Sequence, residues 1–240
     1  MKIYTIQSRG FLACICAVGL LMLLSSSCSK SPAGTNMSTP QAALSVIQAC
    51  PDEAALDLLI NNSRVNQAPI TYGQNTGYFA MNSGSNIISF NNDATMQKIL
   101  ADTASFNPNT IHTLFLTNTV AKPQVFALTD TLVAPTGGNA SVRFVDVSPD
   151  APAVDLVVKG GATLVSNRSF KGFSSFAAIP GNSFYNFEVH KAGTSTVLAT
   201  LSNVKINAGF VYTIWFHGLN SGTTANGDEL SADFMINASF

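Results

Sequence analysis

The stretch of residues 140–158, ASVRFVDVSPDAPAVDLVV, decides the fold of this chain of 240 residues. Two runs rich in β-branched residues flank a turn that contains Pro149 and Asp150. The same pattern occurs 98 residues earlier at 42–60, AALSVIQACPDEAALDLLI, where six of nineteen aligned positions are identical. A strand, a rigid turn and a second strand therefore occur twice, and the sequence predicts one folding unit present in two copies.

Apolar and polar residues alternate along most of both halves. Val154, Leu156 and Val158 share one face of a predicted strand, and the late run 210–216 has the same alternation. Period-two alternation with Gly, Pro or Asn between the runs indicates short strands. Helical spacing occurs only over 94–100. Because each strand must bury one face, we predict an all-β fold of two tandem immunoglobulin- or fibronectin-like β-sandwiches.

The N-terminus has the features of an export signal. Lys2 and Arg9 precede the apolar run 11–24, and residues 25–27 are serines that stand before Cys28. As a helix the apolar run spans about 21 Å, short of a hydrocarbon core of about 30 Å, which favours a secretion signal over a membrane helix. Cys28 resembles the lipidated cysteine of Bacteroidetes-like lipoproteins, although the commonest motif has an aliphatic residue at the place of Ser25. Cleavage without lipid, or an uncleaved anchor, is the alternative.

Composition changes along the chain indicate its domain organisation. A stretch rich in Ser, Thr and Pro follows the signal, and a Pro-Thr-Gly-Gly segment without strand character separates the two halves. The predicted organisation is a signal peptide over 1–27, a flexible tether over 28–41, a first sandwich over 42–132, a linker over 133–139 and a second sandwich over 140–240.

Charge and cysteine content exclude some classes of function. Without residues 1–27 the chain keeps ten basic and thirteen acidic residues, and no basic stripe is present, which argues against nucleic-acid binding. Cys14 and Cys16 leave with the signal, so an acylated Cys28 leaves Cys50 without a partner for a disulfide. No histidine lies near Cys50 in sequence to activate it, so we predict a small turn residue and not a nucleophile.

The shared turn has a structural explanation. Proline is suited to the second position of a type I turn, and the preceding Ser148 can bond back into it. Asp155 points away from the core, either outward or into a backbone contact at the strand edge. Tyr212 is predicted to be a buried tyrosine whose hydroxyl holds a neighbouring loop, with His112 at its place in the first half. The residues assigned to the two turns are Cys50, Pro51, Asp52, Asp57, Ser148, Pro149, Asp150 and Asp155.

These residues carry a family resemblance. The run 142–159, VRFVDVSPDAPAVDLVVK, and the Gly-Phe-Val-Tyr-Thr element at 209–213 strongly resemble the DUF4397 family of domains of unknown function. The first half matches more loosely, with Cys50 in place of serine, Ala54 in place of proline and His112 in place of tyrosine. The resemblance implies tandem copies behind a lipoprotein signal, in secreted or surface proteins. It implies no activity, catalytic residue, cofactor or ligand.

Few residues suggest chemistry. Asp146, Asp150 and Asp155 are weak candidates for a metal site, because the spacing lacks the alternating acidic residues and glycine of a calcium loop. The histidines are scattered and give no metal spacing. Trp215 is expected to fill the core, although an outward position would make it a platform for sugars. The loop 218–228 is the best candidate for a binding loop.

Two hypotheses for function follow. The first is a non-catalytic, lipid-anchored protein of the bacterial cell envelope, on the periplasmic or outer face of the outer membrane, that binds a glycan or a protein partner or has an adhesive or structural role. The second is a hydrolase or metal-dependent enzyme that uses the turn carboxylates. The sequence favours the first, because every strong motif has a turn or packing explanation, and it implies no cofactor and no nucleic-acid partner.

Overall fold

The computed structural model describes residues 39–223, 225 and 227–240. Thr39–Phe240 forms one compact unit. The predicted signal peptide, the lipidation residue Cys28 and most of the predicted tether lie outside the described residues. Among the residues that are described, no helix is long and apolar enough to cross a membrane.

Strands form all of the regular structure in the described part of the chain. The first half contains β1 (Gln41–Gln48), β2 (Ala55–Ile60), β3 (Ser63–Arg64), β4 (Ile70–Thr71), β5 (Phe79–Asn82), β6 (Gly84–Asn92), β7 (Lys98–Phe106), β8 (Ile111–Thr117) and β9 (Gln124–Thr129). The second half contains β10 (Asn139–Asp146), β11 (Val154–Val158), β12 (Thr163–Arg168), β13 (Ala177–Pro180), β14 (Ser183–Lys191), β15 (Val197–Ile206), β16 (Phe210–His217) and β17 (Ser231–Ser239).

The two halves have the same arrangement of strands. In the first half one sheet has the order β5-β1-β8-β9 and the other β3-β2-β6-β7, with β4 also paired to β2. In the second half the orders are β13-β10-β16-β17 and β12-β11-β14-β15. Each half is an immunoglobulin-like β-sandwich, which confirms the predicted all-β fold of two tandem sandwiches. In each half a parallel pair joins the first strand to a late one, β1 to β8 and β10 to β16.

The central strands are buried on both faces, which explains their nearly continuous apolar sequence. In β16 the side chains of Tyr212, Ile214 and Phe216 enter the core of their own sandwich. The alternate residue Trp215 belongs to a different cluster, although it is equally buried. A strand that is covered on both faces cannot show simple alternation between apolar and polar residues.

A third core joins the two sandwiches. It consists of residues on the inner sheets β5-β1-β8-β9 and β13-β10-β16-β17 or just after their first strands, namely Ile47, Ala49, Phe115, Leu128, Val145, Val147, Trp215 and Met235. Phe115 and Trp215 lie at equivalent positions and make an edge-to-face contact, with ring centroids 6.4 Å apart. The unit Thr39–Phe240 is therefore a stack of four sheets with three apolar layers. The expected burial of Trp215 is correct, but its core lies between the sandwiches.

The weak helical spacing at 94–100 was misleading. Residues 93–95 form a turn, Met96 has a positive φ of 59°, and the strand β7 begins at Lys98. Leu100 pairs with Phe90 of β6 in that strand. Pairing with β6 and burial against the first core outweigh the local periodicity, because propensity over a few residues is a weak determinant.

Candidate functional site

A buried polar network lies beside the third core, where the first sandwich ends and the second begins. Asp130, directly after β9, accepts hydrogen bonds from Thr113 and Tyr78, both at 2.7 Å. Its other oxygen lies 2.6 Å from Nη1 of Arg143 in β10. Tyr78 also accepts a hydrogen bond from Asn237 at 2.7 Å, which links it to the last strand. Burial, followed by the charge of Asp130, raises the pKa of Tyr78, so the phenol stays protonated.

This network has internal symmetry with one departure. Thr213 donates to Asn237 at 2.7 Å in the second half, as Thr113 does to Asp130 in the first. The strand registers place Asp130 and Asn237 at equivalent positions, two residues beyond the partners of the two threonines. Arg143, which stands where the first half has Ser45, breaks the symmetry and supplies the cation that balances Asp130.

A cleft of about 540 Å³ opens directly next to Arg143. One wall is the connecting segment 129–136, and the other includes Phe173 and Phe176 just before β13. The Arg143 guanidinium lies over the ring of Phe176, 4.7 Å from its centroid. Phe173 is 49% exposed and contacts Phe126 of the first sandwich, with ring centroids 6.1 Å apart. The cleft thus lies where both sandwiches and their linker meet, and we call it the seam cleft.

A second cluster connects the sandwiches at another place. His217 at the end of β16 bonds through Nδ1 to the Tyr72 hydroxyl at 2.7 Å and through Nε2 to Asp233 at 2.9 Å. His217 is 2% exposed, and burial is the main cause that raises the pKa of Tyr72. Tyr72 also borders a cavity of about 530 Å³ that includes Asp52, Glu53 and Asp228. The order phenol, imidazole, carboxylate resembles a catalytic triad.

The turn aspartates hold loops in both halves. Asp52 accepts the backbone N–H of Val120 at 2.8 Å, and Asp150 accepts that of Asn220 at 2.7 Å. Each aspartate directly follows the proline of its turn. Each donor lies just after the strand that pairs in parallel with the first strand of its half, β8 for Val120 and β16 for Asn220. Ser148 reaches the same region of the second half by donating to the Gly218 carbonyl at 2.7 Å. The loop 218–228, considered above for binding, is therefore tied to the turn at its start.

The aspartates at the strand edges bond to neighbouring segments, Asp155 to backbone groups and Asp57 to side chains. Asp155 accepts N–H groups from Asn167 at 2.7 Å and Gly193 at 2.9 Å. Asp57, its counterpart, is paired with Arg64 at 2.8 Å and accepts from the Asn66 amide at 3.2 Å. Each carboxylate thus has its own set of partners within the fold.

Asp146 is the most unusual of the candidate acidic residues. It is fully buried, and burial raises its pKa to about 7, partly offset by the N–H of Ser148, which donates to Oδ1 at 2.9 Å. Its Oδ2 has no hydrogen-bond partner among the described residues. At the equivalent place Gln48 accepts from the Cys50 N–H at 2.8 Å and donates to the Glu53 carbonyl at 2.6 Å. Both side chains brace the turn that follows their strand.

The candidate metal ligands are not brought together. Asp146 is buried beside Ser148, Asp150 bonds to the loop at 220, and Asp155 bonds to backbone on the outer sheet. In the ranges that the structure describes, no group of three or more His, Cys, Asp or Glu side chains is arranged to hold a metal ion.

Cys50, Tyr212 and His112 are all integrated in packing. The Cys50 thiol is buried and donates to Asp52 at 3.3 Å, and burial raises its pKa, so it is held as a neutral thiol. The Tyr212 hydroxyl accepts the N–H of Asn207 at 2.9 Å, five residues upstream. His112 takes the equivalent place and contacts the Thr110 hydroxyl through Nε2 at 2.7 Å.

Sequence reasoning missed the residues that form the polar network around Asp130 and the seam cleft. Asp130 was part of a presumed domain end, Arg143 of an ordinary strand, and Phe173 of a segment without a clear pattern. Their signal in the sequence was the charge of Arg143 between Val142 and Phe144, in a mainly apolar run that also contains Asp146. A buried charge of this kind requires a partner, but the sequence does not indicate which one.

The fold and the seam define a protein of two fused β-sandwiches that share a buried interface. Residues 42–157 match the family described as "Domain of unknown function (DUF4397)". This match confirms the family resemblance over the first sandwich and extends through β10 into β11 of the second. No curated protein matches the chain.

Two solved structures show distant likeness. A carbohydrate-binding module of family CBM26 from Eubacterium rectale, crystallised with maltoheptaose, has 9% identity and a TM-score of 0.25 and covers 82% of this chain and 95% of its own. A leucine-rich repeat protein from Bacteroides thetaiotaomicron has 12% identity and a TM-score of 0.20, with 72% of this chain and 25% of that protein covered. At these scores neither is a guide to what this chain binds.

Proposed function

We propose that this protein is a lipid-anchored, non-catalytic binding module of the bacterial cell envelope, and that the seam cleft is its ligand site. Both halves are proposed to be copies of the same family domain, because their strand orders correspond apart from the additional β4 and their first strands share an offset of 98 residues. The anchor is Cys28, proposed from the serine-rich sequence before it, and the location is the outer membrane of a Bacteroidetes-like bacterium.

One observation carries the proposal for binding: the seam cleft is lined by exposed aromatic, aliphatic and hydroxyl groups, whereas the turn carboxylates are engaged in the fold. Asp52 and Asp150 each hold a loop, and the Cys50 thiol is buried. A cleft of about 540 Å³ is within the usual range for ligand sites, about 300–1,000 Å³. The third core gives this cleft fixed walls, since its buried apolar side chains join the two sandwiches.

The rival function is hydrolysis, and the Tyr72–His217–Asp233 cluster is the observation that favours it. We consider a structural role better supported, because the raised pKa of Tyr72 disfavours the phenolate and His217 is almost completely buried between the sandwiches. The variant Tyr72→Phe distinguishes a structural role from a catalytic one. Both proteins are assayed with a panel of ester, peptide and glycoside substrates. Hydrolysis by the natural protein that is lost in Tyr72→Phe would establish a hydrolase instead.

Two experiments on cells test the proposed function. Mass spectrometry of the N-terminal peptide, combined with protease treatment of intact cells, should find an acylated Cys28 on an envelope protein. An unmodified Cys28 would contradict the proposed lipid anchor. For the cleft, a photo-crosslinking amino acid at Val133, which is 68% exposed on its wall, should capture an envelope component in living cells. The same group at the exposed Thr103 on the outer sheet is the control, and equal capture at both positions would contradict a ligand site in the cleft.

A further inference from the structure

The charge of the seam cleft is the first indication of its ligand. Among the described residues that line the cleft, Arg143 is the one with an ionisable side chain. Its Nη1 is paired with Asp130 at 2.6 Å, its Nε and Nη2 reach the Thr213 hydroxyl at 3.3 and 3.0 Å, and one face lies against Phe176. The cation is therefore neutralised and most of its donors are occupied. A charged ligand would lose hydration in the cleft and gain no free counter-charge.

The remaining polar groups suit a ligand rich in hydroxyls. Side chains such as Ser175 and Asn139 supply hydroxyl and amide groups, which both donate and accept hydrogen bonds. The polar side chains that the lining offers, apart from Arg143, are Thr129, Thr131, Thr136, Asn139, Ser141 and Ser175, whereas the Ser174 hydroxyl already bonds to the Phe144 N–H and the Ser175 carbonyl. Between them the cleft presents Phe173, 49% exposed, and Val133, 68% exposed. An uncharged sugar ring matches this mixture, because it carries hydroxyls around its edge and an apolar C–H face.

The floor of the cleft argues against an added peptide strand. Ser141, Ala178 and Val211 come from three adjacent strands and are paired across them in register. The backbone groups between these three strands already bond to one another, and the edge that stays open belongs to β13, which has 4 residues and ends at Pro180, a residue without an N–H. A peptide that binds by strand addition needs a longer row of free N–H and C=O groups. The groups that the floor offers to a ligand are therefore mainly side chains.

We infer that the seam cleft binds an uncharged glycan, with Phe173 as the stacking surface. This inference rests on the proposed function, since it names the ligand class of the same site. Short segments of a neutral polysaccharide fit the cleft volume, and Phe173 lies against Phe126 of the first sandwich, so the stacking surface is supported from both halves. Binding then requires the sandwiches to be joined as they are.

The test uses the mature chain in a sugar-free detergent on an array of neutral and acidic glycans, followed by calorimetry with the best neutral oligosaccharide. We expect binding of neutral glycans whose affinity is unchanged between about 50 and about 500 mM NaCl, because no ion pair is formed. Phe173→Ala should weaken binding about tenfold or more through loss of the aromatic face. Phe184→Ala is the matched control, since Phe184 is 65% exposed on β14 of the outer sheet, and it should leave the affinity unchanged.

Three results would overturn the inference. They are the absence of any neutral glycan that binds, a preference for acidic glycans that weakens with salt, and equal affinities for Phe173→Ala and the natural protein. Circular dichroism and thermal unfolding of both variants establish that they are folded. Capture of a protein at Val133 in cells, together with an empty glycan array, would leave the cleft as a binding site and reject its assignment to sugars. Failure of both experiments would reject the site itself.

Discussion

Arg143 Nη1 lies 2.6 Å from Asp130 Oδ1, with 4% and 0% of the two side chains exposed. The pair joins the end of the first sandwich to the first strand of the second, and Thr113 and Tyr78 satisfy the other carboxylate oxygen. Buried ion pairs contribute little net stability against apolar replacements, but the loss of one partner leaves an uncompensated charge. The seam is therefore sensitive to single substitutions at either position.

Replacement of Arg143 by serine should lower the free energy of unfolding by about 3–5 kcal/mol, because Asp130 is left charged in an apolar setting. The double variant Arg143→Ser/Asp130→Asn should recover part of this loss. It reproduces the residues at the equivalent places, Ser45 and Asn237, where Thr213 bonds to the amide. Urea unfolding of the three proteins measures both effects. A double variant no more stable than the single one would contradict this account of the pair.

Trp215→Ala should destabilise the whole unit by about 3–5 kcal/mol, since a large side chain is removed from a packed core. Trp215 is 1% exposed and contacts Phe115 of the other sandwich. Phe184→Ala, at an exposed position, should change stability by less than about 0.5 kcal/mol. Calorimetry should show one transition for the natural protein and separated transitions for the Trp215 variant. Two transitions in the natural protein would show that the third core does not couple the halves.

The stability of the protein should depend on pH through Asp146. Its pKa of about 7 in the fold lies above the value of about 3.9 expected in the unfolded chain, so the folded state binds more protons between these values. The contribution of this group is complete below about pH 4 and is lost as pH rises through about 7. Asp146→Asn keeps an acceptor for the Ser148 N–H and does not titrate. The stability difference between variant and natural protein should therefore increase in favour of the variant from about pH 4 to about pH 7, and chemical denaturation at several pH values measures it.

Tyr212→Phe should lower stability by about 1–3 kcal/mol, because the N–H of Asn207 loses its acceptor next to the core. Tyr185→Phe is the comparison. Its hydroxyl donates to the Pro180 carbonyl at 2.8 Å in an exposed setting, where water can replace the bond. Thermal unfolding of both variants distinguishes them. Equal shifts in Tm would mean that the hydroxyl of Tyr212 does not hold the loop between β15 and β16.

The Cys50 thiol should be unreactive in the native protein, since it is buried and its pKa is raised by burial and by Asp52. Iodoacetamide followed by peptide mapping should leave Cys50 unlabelled under native conditions and label it in urea. Cys50→Ser, which copies Ser148 of the second half, should keep the fold and the ligand affinity. Rapid labelling of the native thiol would contradict the packing described for this turn.

Local chemistry was sufficient to predict much of the architecture. The turn residues that follow β1 and β10 act locally, because a proline and an aspartate restrict the chain within a few residues. The alternation in β14 predicted a strand for the same reason, since one face of that strand is solvated. These features depend on neighbours in sequence, which is why the repeat of 98 residues could be seen and its sandwich fold expected.

The seam could only be seen in three dimensions. Arg143 and Asp130 are close in sequence, but their pairing depends on how the inner sheets face each other, and Tyr78 and Asn237 meet across 159 residues. Trp215 shows the same limit, because both faces of β16 are buried and sequence alternation cannot say which core a side chain enters. Burial on both faces and contacts between distant strands are properties of sheet packing. The sequence by itself therefore determined the strands, the turns and the duplication, and the tertiary structure decided the third core and the cleft.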